Sequence, residues 1–397
     1  MDPRIVHLHG PSTEVRTAIA RVIQHLDAKF GGKMAARTMP TVDYMLNEVK
    51  QGFLFIVRFH RVRAAIVACN SEYACPFDFA EAARVASLEH GESFDFGISE
   101  TQIWANHYIL CTKPQPGGFG LAMVPEFLEF FDSVDVPDGD FFINRRDCPW
   151  VRRDGKHCYS FAATCRNVQT ARLSPVLSLY QGDAWHDLPL PEANTPPRPQ
   201  GVRWNKKKEV ALFRGALTGP TDLRVKLAEL SLEHPEHVDA GITSNPNRIH
   251  MVNNVVRFPV VVDRALRRDP IPIENWGAYK YVLYAEGYSA ALRMGTMLGM
   301  NSVIIKVSPA TKLEDAADQL WFFPRMRGWR ITEEFDGTED HVEADLHDIV
   351  DVVCYLKNND DVAKKMADNA SKLFDEISAG VVRRRALLTS LQVASST

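Results

Sequence analysis

Short apolar runs and helix-period stretches alternate along this chain. In RIVHLH, residues 4–9, apolar positions fall at every second residue, as in a half-buried strand. Ser12 or Thr13 then offers an N-cap hydroxyl for a helix running to about Phe30. Residues 53–59 and 64–69 are apolar, β-rich runs. Residues 78–86 read as a helix and 104–111 as a strand. Residues 125–134 carry apolar positions at helical spacing, and Pro125 suits a first turn. The run Phe141-Phe142-Ile143 is strand-like and leads into Asn144-Arg145-Arg146-Asp147 shortly before Pro149. An acid there is first of all a turn residue, since Asp favours turns and Pro149 disfavours a helix.

LPLPEANTPPRPQGVRW, residues 188–204, holds five prolines and reads as a linker. Beyond it the alternation is cleaner. Strands are expected at 210–213, 281–285 and 302–307, and helices at 222–231, at 289–300 and across 346–374. Alternating β and α pieces with short connections predict an α/β fold with parallel sheets covered on both faces. Residues 1–200 form one domain on this reading, 201–375 a second, and 376–397 a tail or a returning helix. Two such domains would face a cleft, where ligand sites concentrate.

The 397 residues are too many for one typical core. A net charge of −4 gives no support to nucleic-acid binding. No apolar run is long enough for a membrane span, and MDPRIVHLHG lacks the pattern of a secretory signal. Seven cysteines, with no CxxC pair, read as reduced thiols. The expected location is the cytoplasm.

Chemistry gathers at two strand ends. In KYVLYAEGYSAALRMGTMLGM, residues 280–300, a strand ends near Glu286 and Gly287 permits a tight turn. Ser289 stands at the expected N-cap, and Arg293 follows on the same helix face. Such a junction presents backbone N–H groups and the positive end of the helix dipole to an anion. In LFRGALTG, residues 212–219, a second strand ends at Phe213, and Arg214 and Gly215 follow. Each arginine has an ordinary reading as a solvated side chain. At the carboxyl ends of parallel strands, both instead face the ligand crevice. Lys206-Lys207-Lys208 reads as a solvated turn, and Asp138-Gly139-Asp140 as a turn rather than a metal-phosphate motif. No GxGxxG, GxSxG, HExxH or Walker A pattern occurs, and no metal or cofactor is expected.

Six segments in order resemble the CAP10-like glycosyltransferases, family 90: INRRDCP, HCYSFAAT, WNKKKEVALFRGALTG, HVDAGIT, AYKYVLYAEGYSAALRMGTMLGMNSVIIKV and LKNNDDVAKKMADNASKLF. They cover roughly residues 100–375. The resemblance implies a GT-B fold, two Rossmann-like domains facing a cleft, with a UDP-sugar donor on the second and a glycan or protein acceptor. It implies Asp147 as catalytic base, and Arg214, Gly215, Thr243, Lys280, Gly287, Ser289 and Arg293 as donor-binding residues. It implies inversion at the sugar carbon without a metal, with UDP-xylose favoured over UDP-glucose. Ala291 and Leu320 depart from the family pattern, which often has Ser and an acid there. Three rivals remain: a retaining transferase on the same fold, a nicotinamide oxidoreductase, and an inactive glycan- or nucleotide-binding module.

Overall fold

The computed structural model describes residues 5–10, 12–49, 53–70, 123–144, 149–153, 173–194, 196–217, 222–244, 250–252, 255–257, 262–287, 289–308 and 317–396. The helix expected at 78–86 and the strand at 104–111 lie outside them. The chain divides into two compact units. The first comprises Met1–Asn194, Asn247–Phe258 and Arg383–Thr397; the second comprises Thr195–Pro246 and Pro259–Val382.

The first unit contains β1 (Ile5–Gly10), α1 (Ser12–Phe30), α2 (Thr38–Tyr44), β2 (Phe53–Arg58), β3 (Arg61–Asn70), α3 (Met123–Asp132), β4 (Gly139–Ile143), β5 (Val176–Ser178), β6 (Tyr180–Gln181) and β7 (Leu188–Pro189). Its six-stranded sheet runs β1-β3-β2-β4-β5-β7. Alternation along β2 explains both covered faces. Leu54 and Ile56 pack with Val15, Ile19 and Ile23 of α1, while Phe55 meets Phe131 of α3 edge-to-face at 5.0 Å. The sheet is mixed, not wholly parallel: β2 runs antiparallel to both β3 and β4. Only Phe59 and His60 separate β2 from β3, and both have positive φ, 51° and 56°. A two-residue link of this kind can only join antiparallel strands. Asp140 belongs to β4 rather than to a turn. It is buried with Arg58, 3.1 Å away, and accepts from Thr38 Oγ1 at 2.9 Å.

The second unit contains β8 (Lys208–Ala216), α4 (Leu223–Glu233), β9 (Val238–Ser244), β12 (Tyr279–Tyr284), α5 (Arg293–Leu298), β13 (Val303–Ser308), β14 (Gln319–Leu320), β15 (Gly328–Trp329), β16 (His341–Asp345), α6 (Ile349–Asn358) and α7 (Asp360–Ser378). The hairpin β10 (His250–Val252) and β11 (Val255–Arg257) belongs to the first unit, as does most of α8 (Gly380–Ser396). The sheet β15-β16-β13-β12-β8-β9 is parallel in every pairing. Its central strands are apolar on both faces: all six residues of β12 are buried. One face packs on Leu223 and Leu227 of α4, Val352 and Leu356 of α6, and Met366 of α7. Among the described residues, no helix is long and apolar enough to cross a membrane.

Candidate functional site

The parallel register sets the carboxyl ends of β8 and β12 side by side, since Val282 pairs with Leu212. Arg214 and Arg293, 79 residues apart in sequence, meet here: Arg293 Nη1 donates to the Arg214 carbonyl at 2.9 Å. The Arg293 guanidinium lies 5.5 Å from the Phe213 ring centre and 5.7 Å from that of Trp276. It has no carboxylate partner among the described residues, and burial pulls its pKa down. Among the described residues this partly buried cation is held by a carbonyl and two rings, which compensate a charge poorly. Gly215 permits the arrangement. A Cβ there would lie 2.8 Å from the Phe213 ring and 3.5 Å from Arg293 Nη2.

Arg214 is differently placed. It is buried and ion-paired with Asp239 Oδ1 at 2.7 Å, and Nη1 also donates to the carbonyls of Asp239 and Phe213. Thr243, partly exposed, stands near the carboxyl end of the neighbouring strand β9.

The turn after β12 departs from expectation. The helix begins at Arg293, not Ser289, and is six residues long, with Leu292 as an N-cap that makes no side-chain bond. Ser289 instead forms a parallel bridge with Ala317. The turn's amides are also engaged. Gly287 N donates to Ser289 O at 3.2 Å, Ala290 N to Ala317 O at 2.8 Å, and Ala291 N to Tyr284 Oη at 2.7 Å. Tertiary partners won these N–H groups because a buried amide must bond to something, and a strand-like bridge lay within reach. The positive charge at this end therefore comes from side chains rather than from a free helix start.

Lys280 does not join the group. It precedes Tyr284 by four residues, about 13 Å along the strand, toward the opposite end of the sheet. There its ammonium contacts Glu209 at 2.8 Å and Asp360 at 2.6 Å, above the Trp204 ring. Of the Lys206–208 run, Lys207 is buried, not solvated. Its Nζ donates to Gly277 O, Met300 O and Ser302 Oγ at 2.7–2.9 Å, and burial lowers its pKa to about 8.

Arg224 was invisible to pattern reading. It is a buried arginine on α4 that donates to the carbonyls of Ala216, Ala285 and Glu286 at 2.8–3.1 Å. It ties the ends of β8 and β12 together. Its only sequence signal is a charge within an apolar helix face.

Asp147 lies outside the described residues. Both of its flanks, however, are fastened to one polar pair. Asn144 Nδ2 donates to Ser178 Oγ at 2.9 Å, and Asn144 N to Leu177 O at 2.9 Å. Asp187 accepts from Trp150 N at 2.9 Å, from Val151 N at 2.8 Å, and from Ser178 Oγ. Burial pushes the Asp187 carboxyl up to about 6, against the downward pull of those hydrogen bonds.

Comparison with known proteins adds to this geometry. The profile described as Glycosyl transferase family 90 matches residues 82–380. Uncharacterized protein 035R of Invertebrate iridescent virus 3 is 22% identical over 86% of this chain and 35% of its own length. The O-glucosyltransferase rumi homolog of Aedes aegypti is 25% identical over 59% of this chain and 55% of its own. Human Protein O-glucosyltransferase 1 is 27% identical over 43% of this chain and 37% of its own. Thus the chain spans only about a third of the length of the viral relative. Among solved structures, that of TarM aligns with a TM-score of 0.36 at 12% identity, over 59% of this chain and 48% of the other.

Proposed function

Because the chain belongs to glycosyl transferase family 90, matched over residues 82–380, we propose that it moves a sugar from a UDP-α-sugar to a hydroxyl of a glycan or protein acceptor. The observation that carries this reading is Arg293: a partly buried cation at the carboxyl end of a parallel sheet, without a carboxylate partner among the described residues. A diphosphate supplies the missing counter-charge, and the guanidinium fork matches its oxygens. Arg214 holds Arg293 through its main-chain carbonyl, and its own guanidinium would join the diphosphate by exchanging Asp239 for phosphate. As UDP leaves, charge grows on the β-phosphate, and fixed cations in a dry setting stabilise it without reorganising. On this reading no metal is needed.

Asp147 is the general base of the proposal. It takes the acceptor hydroxyl's proton as the oxygen attacks the sugar carbon from the face opposite UDP, which gives a β-linkage. A positioned base of this kind contributes about 10²–10⁴-fold. UDP-xylose is the first donor to test. UDP-glucose is the second, supported by the names of the glucosyltransferase relatives.

The test is UDP release from a panel of UDP-sugars, with and without acceptor, in the wild type and in Asp147→Asn. The donor is the sugar whose UDP is released. The variant should bind UDP normally, melt at the same temperature and turn over at least about 100-fold more slowly. A folded, UDP-binding variant with more than a tenth of wild-type turnover would remove Asp147 from the mechanism. An α-linked product, assigned by NMR, would replace inversion with retention.

A further inference from the structure

The second unit also contains a cavity of about 470 Å³, within the range of small-molecule sites. It is walled by the approach to β8, by the α5–β13 connection and by one face of α7. The first two segments lead into the amino ends of their strands, so the cavity stands at the opposite end of the sheet from Arg293. It belongs to a different surface from the proposed donor site, and nothing about it rests on that proposal.

Three features describe what it could hold. The first is charge. Lys365 and Lys372 are exposed, lie two turns apart on one face of α7, and have no ion-pair partner among the described residues. Arg198 is already oriented by the Phe374 ring, 4.6 Å away, and by Asp375. Asp368, the one acid among the described lining residues, is engaged by Lys364 at 2.6 Å. Behind the floor, Lys207 bonds the Met300 carbonyl at 2.9 Å and two further neutral oxygens, with no carboxylate partner among the described residues. The cavity is therefore positive.

The second feature is unmet hydrogen bonding. Asn301 Oδ1 and Ser371 Oγ, both on lining residues, are buried and have no hydrogen-bond partner among the described residues. Buried oxygens of this kind cost free energy until something bonds to them. Both residues border the cavity, so a ligand hydroxyl there is a candidate for the missing partner. The third feature is the absence of an aromatic side chain among the described lining residues, so a nucleobase would find no ring to stack on.

We infer that this cavity binds a polyol carrying an anionic group, either a sugar phosphate or an acidic sugar residue of a glycan. Lys365 and Lys372 take the anion, and Asn301 and Ser371 take hydroxyl groups.

The test is calorimetric titration of the full chain, with and without saturating UDP, using four probes: glucose 6-phosphate, a hyaluronan tetrasaccharide, glucose and inorganic phosphate. At least one anionic saccharide should bind about tenfold or more tightly than both glucose and phosphate. Preference for glucose 6-phosphate identifies a free sugar phosphate; preference for the tetrasaccharide identifies a glycan. The paired change Lys365→Gln with Lys372→Gln should weaken that binding at least about tenfold. Gly201→Trp should abolish it without lowering the melting temperature, because a Cβ at this lining glycine meets nothing within 4 Å. Arg293→Ala should leave it within about twofold. The inference is overturned if phosphate binds as tightly as the saccharides, if neither variant changes binding, or if no probe binds at about 10 mM. Loss of saccharide binding in Arg293→Ala would also overturn it, by placing the saccharide at the other end of the sheet while leaving the UDP reading intact.

Discussion

Arg214 and Arg293 are the same residue type in two electrostatic states, and this difference decides which one a ligand feels more. Arg214 has Asp239 at 2.7 Å; Arg293 has a carbonyl and two rings. Removing a charged hydrogen-bond donor costs about 1.5–3 kcal/mol. Arg293→Ala should therefore weaken UDP binding by about 10- to 150-fold with the fold intact, as read by calorimetry. Arg293→Lys should recover only part of this loss, because an ammonium lacks the planar fork that stacks between rings and pairs with two oxygens. Unchanged affinity in the folded alanine variant would put the diphosphate elsewhere. Both arginines were legible as candidates because each follows a strand-like run. The pairing of one with Asp239 was not legible, since it depends on which strands are neighbours.

At the element scale, two polar side chains fix what the strands alone leave loose. Arg224 of α4 bonds carbonyls at the ends of both β8 and β12. Arg224→Met keeps the side-chain length but leaves three carbonyls without this donor. It should cost about 3 kcal/mol in urea unfolding and weaken UDP binding as the strand ends loosen. In the first unit, Asp187 holds Trp150 and Val151 just beyond the segment that contains Asp147. Its folded pKa, about 6, lies above the ordinary 3.8. The folded state thus holds this proton more tightly than the unfolded one. The stabilising contribution is complete below about pH 4 and is lost as pH rises through 6. A shift of this size corresponds to roughly 3 kcal/mol. The difference in unfolding free energy between the wild type and Asp187→Asn should change with pH across this window and level off above it. A pH-independent difference would mean that Asp187 is equally charged in both states.

At the scale of the whole chain, the last helix belongs with the beginning. Leu387 and Leu391 of α8 are completely buried. Ser390 Oγ donates to Pro189 O at 2.6 Å, and Arg383 Nη1 to Ala193 O at 2.6 Å. Truncation after Ser378 should destabilise the first unit by about 4–9 kcal/mol, from two leucines at about 1.5–3 kcal/mol each and two hydrogen bonds at about 0.5–1.5 kcal/mol each. In a thermal melt the first unit's transition should fall while the second unit's stays in place. Metal independence is a property of the complete enzyme as proposed. Turnover should survive EDTA, and a loss of more than about tenfold that Mn²⁺ or Mg²⁺ restores would refute the cation-only account.

The sequence by itself determined the order of elements wherever a single periodicity ran uninterrupted. It specified α1, β2, β12, β13 and the long helices near the C-terminus, because alternation and helical spacing are local consequences of burying one face or two. It also marked the two strand ends where cations gather. Tertiary structure alone decided the rest, because the deciding partners are distant in sequence. Lys207 is buried because oxygens from residues 277, 300 and 302 surround its ammonium. Lys280 sits far from Arg293 because its place along β12 is set by register. The helix at Ser289 starts four residues late because Ala317 and Tyr284 claim the amides that would have begun it. A local pattern states which groups a segment must satisfy, and only the assembled chain determines which partners satisfy them.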